Sequence, residues 1–271
     1  FISYAFNNWA APSLDYVVLF GDMSYDYRKF LPDSRPNFIP SMPYHVQPYG
    51  QATSDNNFVA IVGSDNIPDL AIGRLSCETE AEAEILINKI KNYPADTGKN
   101  WKQNILLLSS GQDQADEDYF RFNASNLYLE NTFLKPNGIT STKVFRFPSD
   151  SIEALFQGDG PEIRMGFNQG AVVASYYGHG GGYQWDLVFN DDDIQLLQNE
   201  NRLPFISSVT CYTAHFDNQD VFGEQFNKVP NKGSIAFWGS SGLTFWSAGK
   251  QLNERLFSQF FSQKKWSPKW T

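Results

Sequence analysis

The stretch Ala171-Val-Val-Ala-Ser-Tyr-Tyr177, followed at once by Gly178-His179-Gly180-Gly181-Gly182, decides the fold class. An apolar run this short, without polar alternation and stopped by glycines, reads as a strand buried on both faces. Pro204-Phe-Ile-Ser-Ser-Val-Thr210 repeats the design and stops at Cys211. Strands buried on both faces belong to parallel sheets that helices cover, so the expectation is an α/β protein.

Working outward, further strands are expected over Asn104–Ser109, Thr142–Phe147 and Ser234–Trp238, with helices over 116–134, 161–168 and 249–261 and a short one over 151–156. Upstream, 15–20, 58–62 and 70–72 read as strands. Thr79–Tyr93 reads as a helix, because Ala83, Leu86, Ile87 and Ile90 share one face, with Glu early and Lys late as the helix dipole prefers. Residues 23–57 are rich in Pro, Asn, Ser and Tyr, too long for an ordinary connection, and are expected to be a functional or packing loop. Turn residues across 94–102 suggest a linker, giving an N-terminal α/β subdomain over 1–100 and a second over 101–271, side by side.

The chain has 271 residues, 41% of them apolar, which suffices for a core without disulfide or metal staples. It carries 21 basic and 30 acidic residues, a net charge of −9. Nucleic acids and anionic membranes call for the opposite sign, so neither is an expected partner. No apolar run approaches the ~18 residues of a membrane span. The chain opens on Phe1-Ile2-Ser3-Tyr4 and is read as a piece of a longer protein. Cys77 and Cys211 are too few for a disulfide framework or a four-cysteine zinc site.

Parallel α/β sheets bind substrates at the carboxyl ends of their strands, where His179 and Cys211 stand. A thiol needs a base or a cation beside it to ionise near neutrality, and an imidazole could serve as base and then as acid to a leaving amine. Flanking glycines let a substrate backbone approach and let amides face an oxyanion. A lone strand-end Cys is more often a small buried hydrophobe, however, and periodicity alone leaves the pair as candidates.

Tyr176-Tyr-Gly-His-Gly180 and, 32 residues after the His, Ser208-Val-Thr-Cys211 resemble the gingipain family of caspase-like cysteine peptidases. Thr53-Ser-Asp-Asn, Val62-Gly-Ser-Asp, Ile72-Gly-Arg-Leu-Ser-Cys-Glu78 and Gly233-Ser-Ile-Ala236 follow the family's order, so the likeness spans about 16–260. Phe20-Gly-Asp-Met-Ser-Tyr-Asp-Tyr27 and Thr210-Cys-Tyr-Thr-Ala-His-Phe-Asp217 are similar to sortase-type members, which process cargo of a bacterial outer-membrane secretion system. The resemblance implies a caspase-like fold and a secreted or cell-surface bacterial thiol protease acting on protein or peptide through a thioester. It implies His179 as base, Cys211 as nucleophile, and the amides of Gly180 and Cys211 as oxyanion hole. Gly111 stands where some members carry an acid that orients the His, and Asp113 is the substitute helper. Asp118 and Trp246 match the floor and wall of a pocket for Arg or Lys, although acids also simply start helices and Trp often packs in cores.

His215 is a weaker base candidate, on an exit loop without flanking glycines, and Cys77 reads as core. No cofactor is required. Asp191-Asp-Asp193 and Ser54-Asp-Asn-Asn57 could ligate structural calcium, which takes oxygen ligands, although acidic helix starts are usually caps. Three rival readings are a sortase-like transpeptidase, a non-catalytic binding module and a metal hydrolase. Zinc wants His residues closer in sequence than these.

Overall fold

The structure, a computed structural model, describes residues 1–11, 14–93, 100–111, 118–148, 156–217 and 220–262. It divides into two compact units, Phe1–Glu84 with His215–Asp220, and Ile85–Ala214 with Val221–Thr271. The boundary expected at residue 100 abuts residues 94–99, which lie outside the described residues.

In the first unit, α1 (Ile2–Asn8) precedes β1 (Tyr16–Phe20), the hairpin strands β2 (Met42–Val46) and β3 (Gly50–Ser54), and β4 (Ala71–Leu75). β1 and β4 pair in parallel, Tyr16 opposite Ala71, while β2 and β3 pair antiparallel. The expected loop over 23–57 therefore contains a hairpin. The strand expected at 58–62 does not form. Asp69 accepts the amides of Ile61 and Val62, each at 2.8 Å, and its own amide donates to Val59 O at 2.9 Å. These bonds bend the run back on itself instead of leaving it to a sheet ladder.

Arg74, on β4, ties this unit together. Its Nε and Nη2 make paired 2.8 Å bonds to Asp55, and Nη1 donates to Gly21 O and Ile39 O, both at 2.8 Å. Nη2 also reaches Pro40 O at 3.4 Å, and the guanidinium lies 5.1 Å from the Phe216 ring centre. All five donors of the fork are thus engaged.

α2 (Glu80–Asn92) leads into the second unit, followed by β5 (Asn104–Ser109), α3 (Asp118–Leu129) and β6 (Thr140–Phe145). After the two-residue strands β7 (Phe147–Pro148) and β8 (Phe156–Gln157) come α4 (Gly160–Gln169) and β9 (Val173–Tyr177). The short pair β10 (Gln184–Trp185) and β11 (Phe189–Asn190) precedes α5 (Asp191–Gln195) and β12 (Phe205–Val209). α6 (Phe222–Lys228), β13 (Ala236–Gly239) and α7 (Trp246–Phe257) follow. The helix expected over 116–134 ends its α-helical part at Leu129 and continues as one wide π-turn, Glu130–Leu134. Residues 151–155 of the expected short helix lie outside the described residues, and Phe156 is in a strand.

Five strands form one parallel sheet in the order β13-β12-β9-β5-β6. Alternate side chains of β5 face opposite layers. Leu106 and Leu108 join Ile163, Phe167, Trp185, Phe222 and Phe226 on one face. Ile105 and Leu107 join Leu129, Phe133, Phe257 and Phe261 on the other. The period-2 strand geometry produces this split, and it is why the strands read as unbroken apolar runs. A methyl at Gly166 would sit 2.7 Å from Leu106 Cδ1, so α4 approaches the sheet as closely as it does because that position lacks a side chain. Lys89 of α2 is buried and donates to the carbonyls of Phe226, Asn227 and Ser234, at 3.1, 2.7 and 3.3 Å. Burial pushes its pKa down to about 7. The expected α/β class with a parallel sheet flanked by helices is the observed one.

Candidate active site

In sequence terms the sheet order is 2-1-3-4-5, so the chain reverses direction across the sheet between β5 and β9. Crevices at such switch points, outside the carboxyl ends of the strands, are where open parallel sheets place ligands. β9 delivers His179 beside this crevice, and its other neighbour, β12, delivers Cys211.

The register sets the two beyond neighbouring strand ends. Tyr177, the last residue of β9, lies opposite Val209, the last of β12. His179 and Cys211 each stand two residues beyond those partners. Both are partly exposed, at the end of strands that are otherwise buried.

The main chain of His179 is clamped. Its amide donates to Ser110 Oγ at 3.3 Å, and Tyr176 Oη lies 2.6 Å from its carbonyl oxygen and 2.7 Å from Ser110 Oγ. The phenol has one proton and a carbonyl only accepts, so Tyr176 donates to the His179 carbonyl and its oxygen accepts a hydrogen bond from the Ser110 hydroxyl. The three residues thus close a ring of hydrogen bonds. Burial holds the Tyr176 phenol far above its ordinary pKa, which keeps it a donor. Phe122 of α3 packs edge-on against the imidazole at 5.2 Å between ring centres and also touches the Tyr177 ring, at 5.0 Å.

Two of the glycines around His179 are required by this packing. A methyl at Gly178 would fall 2.3 Å from Ser110 Oγ and 2.5 Å from Tyr176 Oη, inside the clamp. At Gly180 it would fall 2.8 Å from Thr210 Oγ1. Gly181 and Gly182 face open space.

Cys211 is held from the loop that follows β13. The Thr244 amide donates to its Sγ at 3.3 Å, and Thr244 Oγ1 donates to Thr210 O at 3.0 Å. Tyr212, at φ +58, turns the chain sharply after the thiol, and its amide donates to Gly242 O at 2.9 Å. Beneath the turn, Trp185 Nε1 donates to Ser208 Oγ at 2.8 Å, and Ser208 Oγ is 3.0 Å from Thr213 Oγ1. None of Ser110, Tyr176 or Thr244 stood out in the sequence as a functional residue. Tyr176 reads as part of a strand, and Thr244 lies in a bland Ser- and Gly-containing stretch.

Asp113 lies outside the described residues. Asp118 is the first residue of α3, and its side chain lies outside them too. Trp246 opens α7, 43% exposed and not in the core. The Arg121 guanidinium sits 6.0 Å from its ring centre, and its carbonyl accepts a 2.6 Å bond from the Tyr177 hydroxyl. His215 groups with the first unit and pairs with Asp217 at 2.8 Å, while Cys77 is buried there.

Each of the two acidic runs considered for calcium has one carboxylate held by other groups. Asp193 closes a capping box with Asn190 and pairs with Arg164, and Asp55 is held by Arg74. Among the described residues no three His, Cys, Asp or Glu side chains gather for a metal ion. No described helix is long and apolar enough to cross a membrane.

A parallel α/β sheet with a histidine and a cysteine at adjacent carboxyl ends is a scaffold for thiol chemistry, and the chain belongs to peptidase family C25, whose model matches residues 1–270. Among its relatives is Gingipain R2 of Porphyromonas gingivalis (strain ATCC BAA-308 / W83), 27% identical over 225 residues, which are 81% of this chain and 27% of the relative. Lys-gingipain W83 of the same species is 24% identical, over 70% of this chain and 10% of its own length. The chain thus spans about a quarter or less of these relatives. The crystal structure of the Arg-specific cysteine proteinase gingipain R (RgpB) superposes with a TM-score of 0.72 at 23% identity, over 95% of this chain and 55% of that one. The complex of the RgpB pro- and mature domains gives 0.72 at 22%, over 96% and 57%. This likeness shows the caspase-like fold.

Proposed function

We propose that the chain carries the catalytic centre of a cysteine endopeptidase, secreted or at the cell surface, acting on protein or peptide without a cofactor. The observation that carries this is the register, Tyr177 opposite Val209, which leaves His179 and Cys211 each two residues beyond paired strand ends. His179 takes the thiol proton as Cys211 Sγ bonds to the scissile carbonyl carbon. The amides of Gly180 and Cys211 face the oxyanion. The carbon–nitrogen bond then breaks, and the imidazolium gives its proton to the leaving amine. Water, deprotonated by the same imidazole, attacks the thioester, and the carboxylic product leaves as the thiol re-forms. Asp113 is the helper for His179 in this reading. The clamp through Ser110 and Tyr176 supplies orientation, which is worth the most when the base cannot wander.

The test is turnover of a peptide library by the wild type, Cys211→Ala and His179→Ala. Both variants should lose on the order of 10³-fold or more in kcat/KM while keeping the wild-type melting temperature. A peptidase activity that survives Cys211→Ala would end the proposal.

A further inference from the structure

Beside the thiol lies a recess of about 260 Å³ whose walls include Val209, Trp238, Leu243, Thr244, Phe245 and Leu252. Among the described residues no Asp, Glu, Lys or Arg lines it. It adjoins the candidate site through Thr244, which lines it and donates its amide to Cys211 Sγ. Trp238, Leu243, Phe245 and Leu252 remain between 39% and 54% exposed, so the recess opens to solvent. Its floor is fixed. A methyl at Gly249 would fall 2.7 Å from Val209 Cγ1 and 2.9 Å from Thr244 Cγ2, so α7 already sits as close to those side chains as packing allows.

Size and chemistry narrow the occupant. An apolar cavity of about 150 Å³ takes benzene, and whole small ligands need roughly 300 Å³ or more, so this recess suits one side chain. A charged head group there would find no counter-ion among the described wall residues. The Trp246 ring, where a basic side chain would be expected to lie, already has the Arg121 guanidinium over it. We infer that the recess receives an uncharged apolar side chain, aliphatic or aromatic, from the substrate residue on the acyl side of the scissile bond. This rests on the cysteine-peptidase reading and replaces the basic preference that Asp118 and Trp246 would imply.

The test uses peptidyl acyloxymethyl ketones that share one backbone and differ only in the residue beside the ketone: Leu, Phe, Gly, Arg or Lys. The thiolate forms a C–S bond at the methylene carbon, the C–O bond breaks and a carboxylate departs, so each labelling event is read as added mass on Cys211. Leu and Phe probes should label about tenfold or more faster than Arg and Lys probes. Ala248→Phe, at an exposed position of α7 lining the recess, should lower the Leu-to-Gly ratio of rates about tenfold. Leu243→Asp should raise labelling by the Arg probe. Faster labelling by Arg or Lys, or a Leu-to-Gly ratio that Ala248→Phe leaves unmoved, overturns the recess assignment alone. Failure of every probe, Gly included, to label Cys211 overturns the peptidase reading beneath it.

Discussion

Two polar clusters, one in each unit, are built from similar parts and do opposite things. Around Arg74 every donor is matched to a fixed acceptor, and the side chain is 6% exposed against 10% for its partner Asp55. Around His179 the clamp acts on the main chain. Ser110 and Tyr176 bind its amide and carbonyl, while His179 and Cys211 as residues are only partly buried. The first arrangement can only hold loops in place. The second holds a backbone still so that side chains at its edge have a fixed origin, which is what positioned chemistry needs. The family's ordered motifs thus divide by purpose. Thr53-Ser-Asp-Asn and Ile72-Gly-Arg-Leu supply a fastening, and Tyr176-Tyr-Gly-His-Gly180 supplies a candidate site.

The sharpest way to break that contrast is to remove Arg74. Arg74→Met leaves Asp55 buried without its cation and frees three loop carbonyls, so the first unit should lose roughly 3–5 kcal/mol. Urea denaturation read by tryptophan fluorescence, with hydrogen exchange to locate the loss, measures it. A variant as stable as the wild type would mean the cluster is not a fastening.

Tyr176→Phe should cost less stability and more function. Both bonds of the buried phenol are lost, which strands the Ser110 hydroxyl and the His179 carbonyl, worth roughly 1–3 kcal/mol. If the clamp sets where the imidazole sits, kcat should fall by about 10- to 100-fold with KM little changed, because orientation acts on the chemical step. Ser110→Ala should move kcat in the same direction. A purely structural role would lower the melting temperature and leave kcat per folded molecule alone.

Legibility in the sequence follows the same division. β5, β9 and β12 were readable because both faces of each are covered and the apolar run is unbroken. The hairpin β2–β3 was not, since its strands carry Pro43, His45 and Gln51 and their side chains are mostly exposed or half-buried. Phe58–Val62 misled because its composition is that of a strand, while the groups that bend it belong to Asp69, outside the run. At the candidate site, His179 and Cys211 could be picked by residue type and flanking glycines. The clamp could not, because Ser110 and Tyr176 lie 66 residues apart and meet only through the pairing of β5 with β9.

The smallest expected effect concerns a half-buried carboxylate in the first unit. Asp26 accepts the amides of Phe30 at 3.0 Å and Leu31 at 2.7 Å, and the Ser34 hydroxyl as well, so it closes the loop after β1. The Ser34 bond first, then the two amides, lower its pKa below the ordinary aspartate value. A carboxyl whose folded pKa is depressed contributes stability above its unfolded pKa of ~3.9 and loses it as pH falls through the lower, folded value. Asp26→Asn should therefore narrow the stability difference between pH 7 and pH 2.5 slightly. The change should show as earlier amide exchange at Phe30 and Leu31 and not as a shift of the global midpoint, because water competes for each of these bonds. An acid-side profile identical in wild type and variant would mean the Asp26 bonds contribute nothing, and would leave Arg74 as the fastening of the first unit.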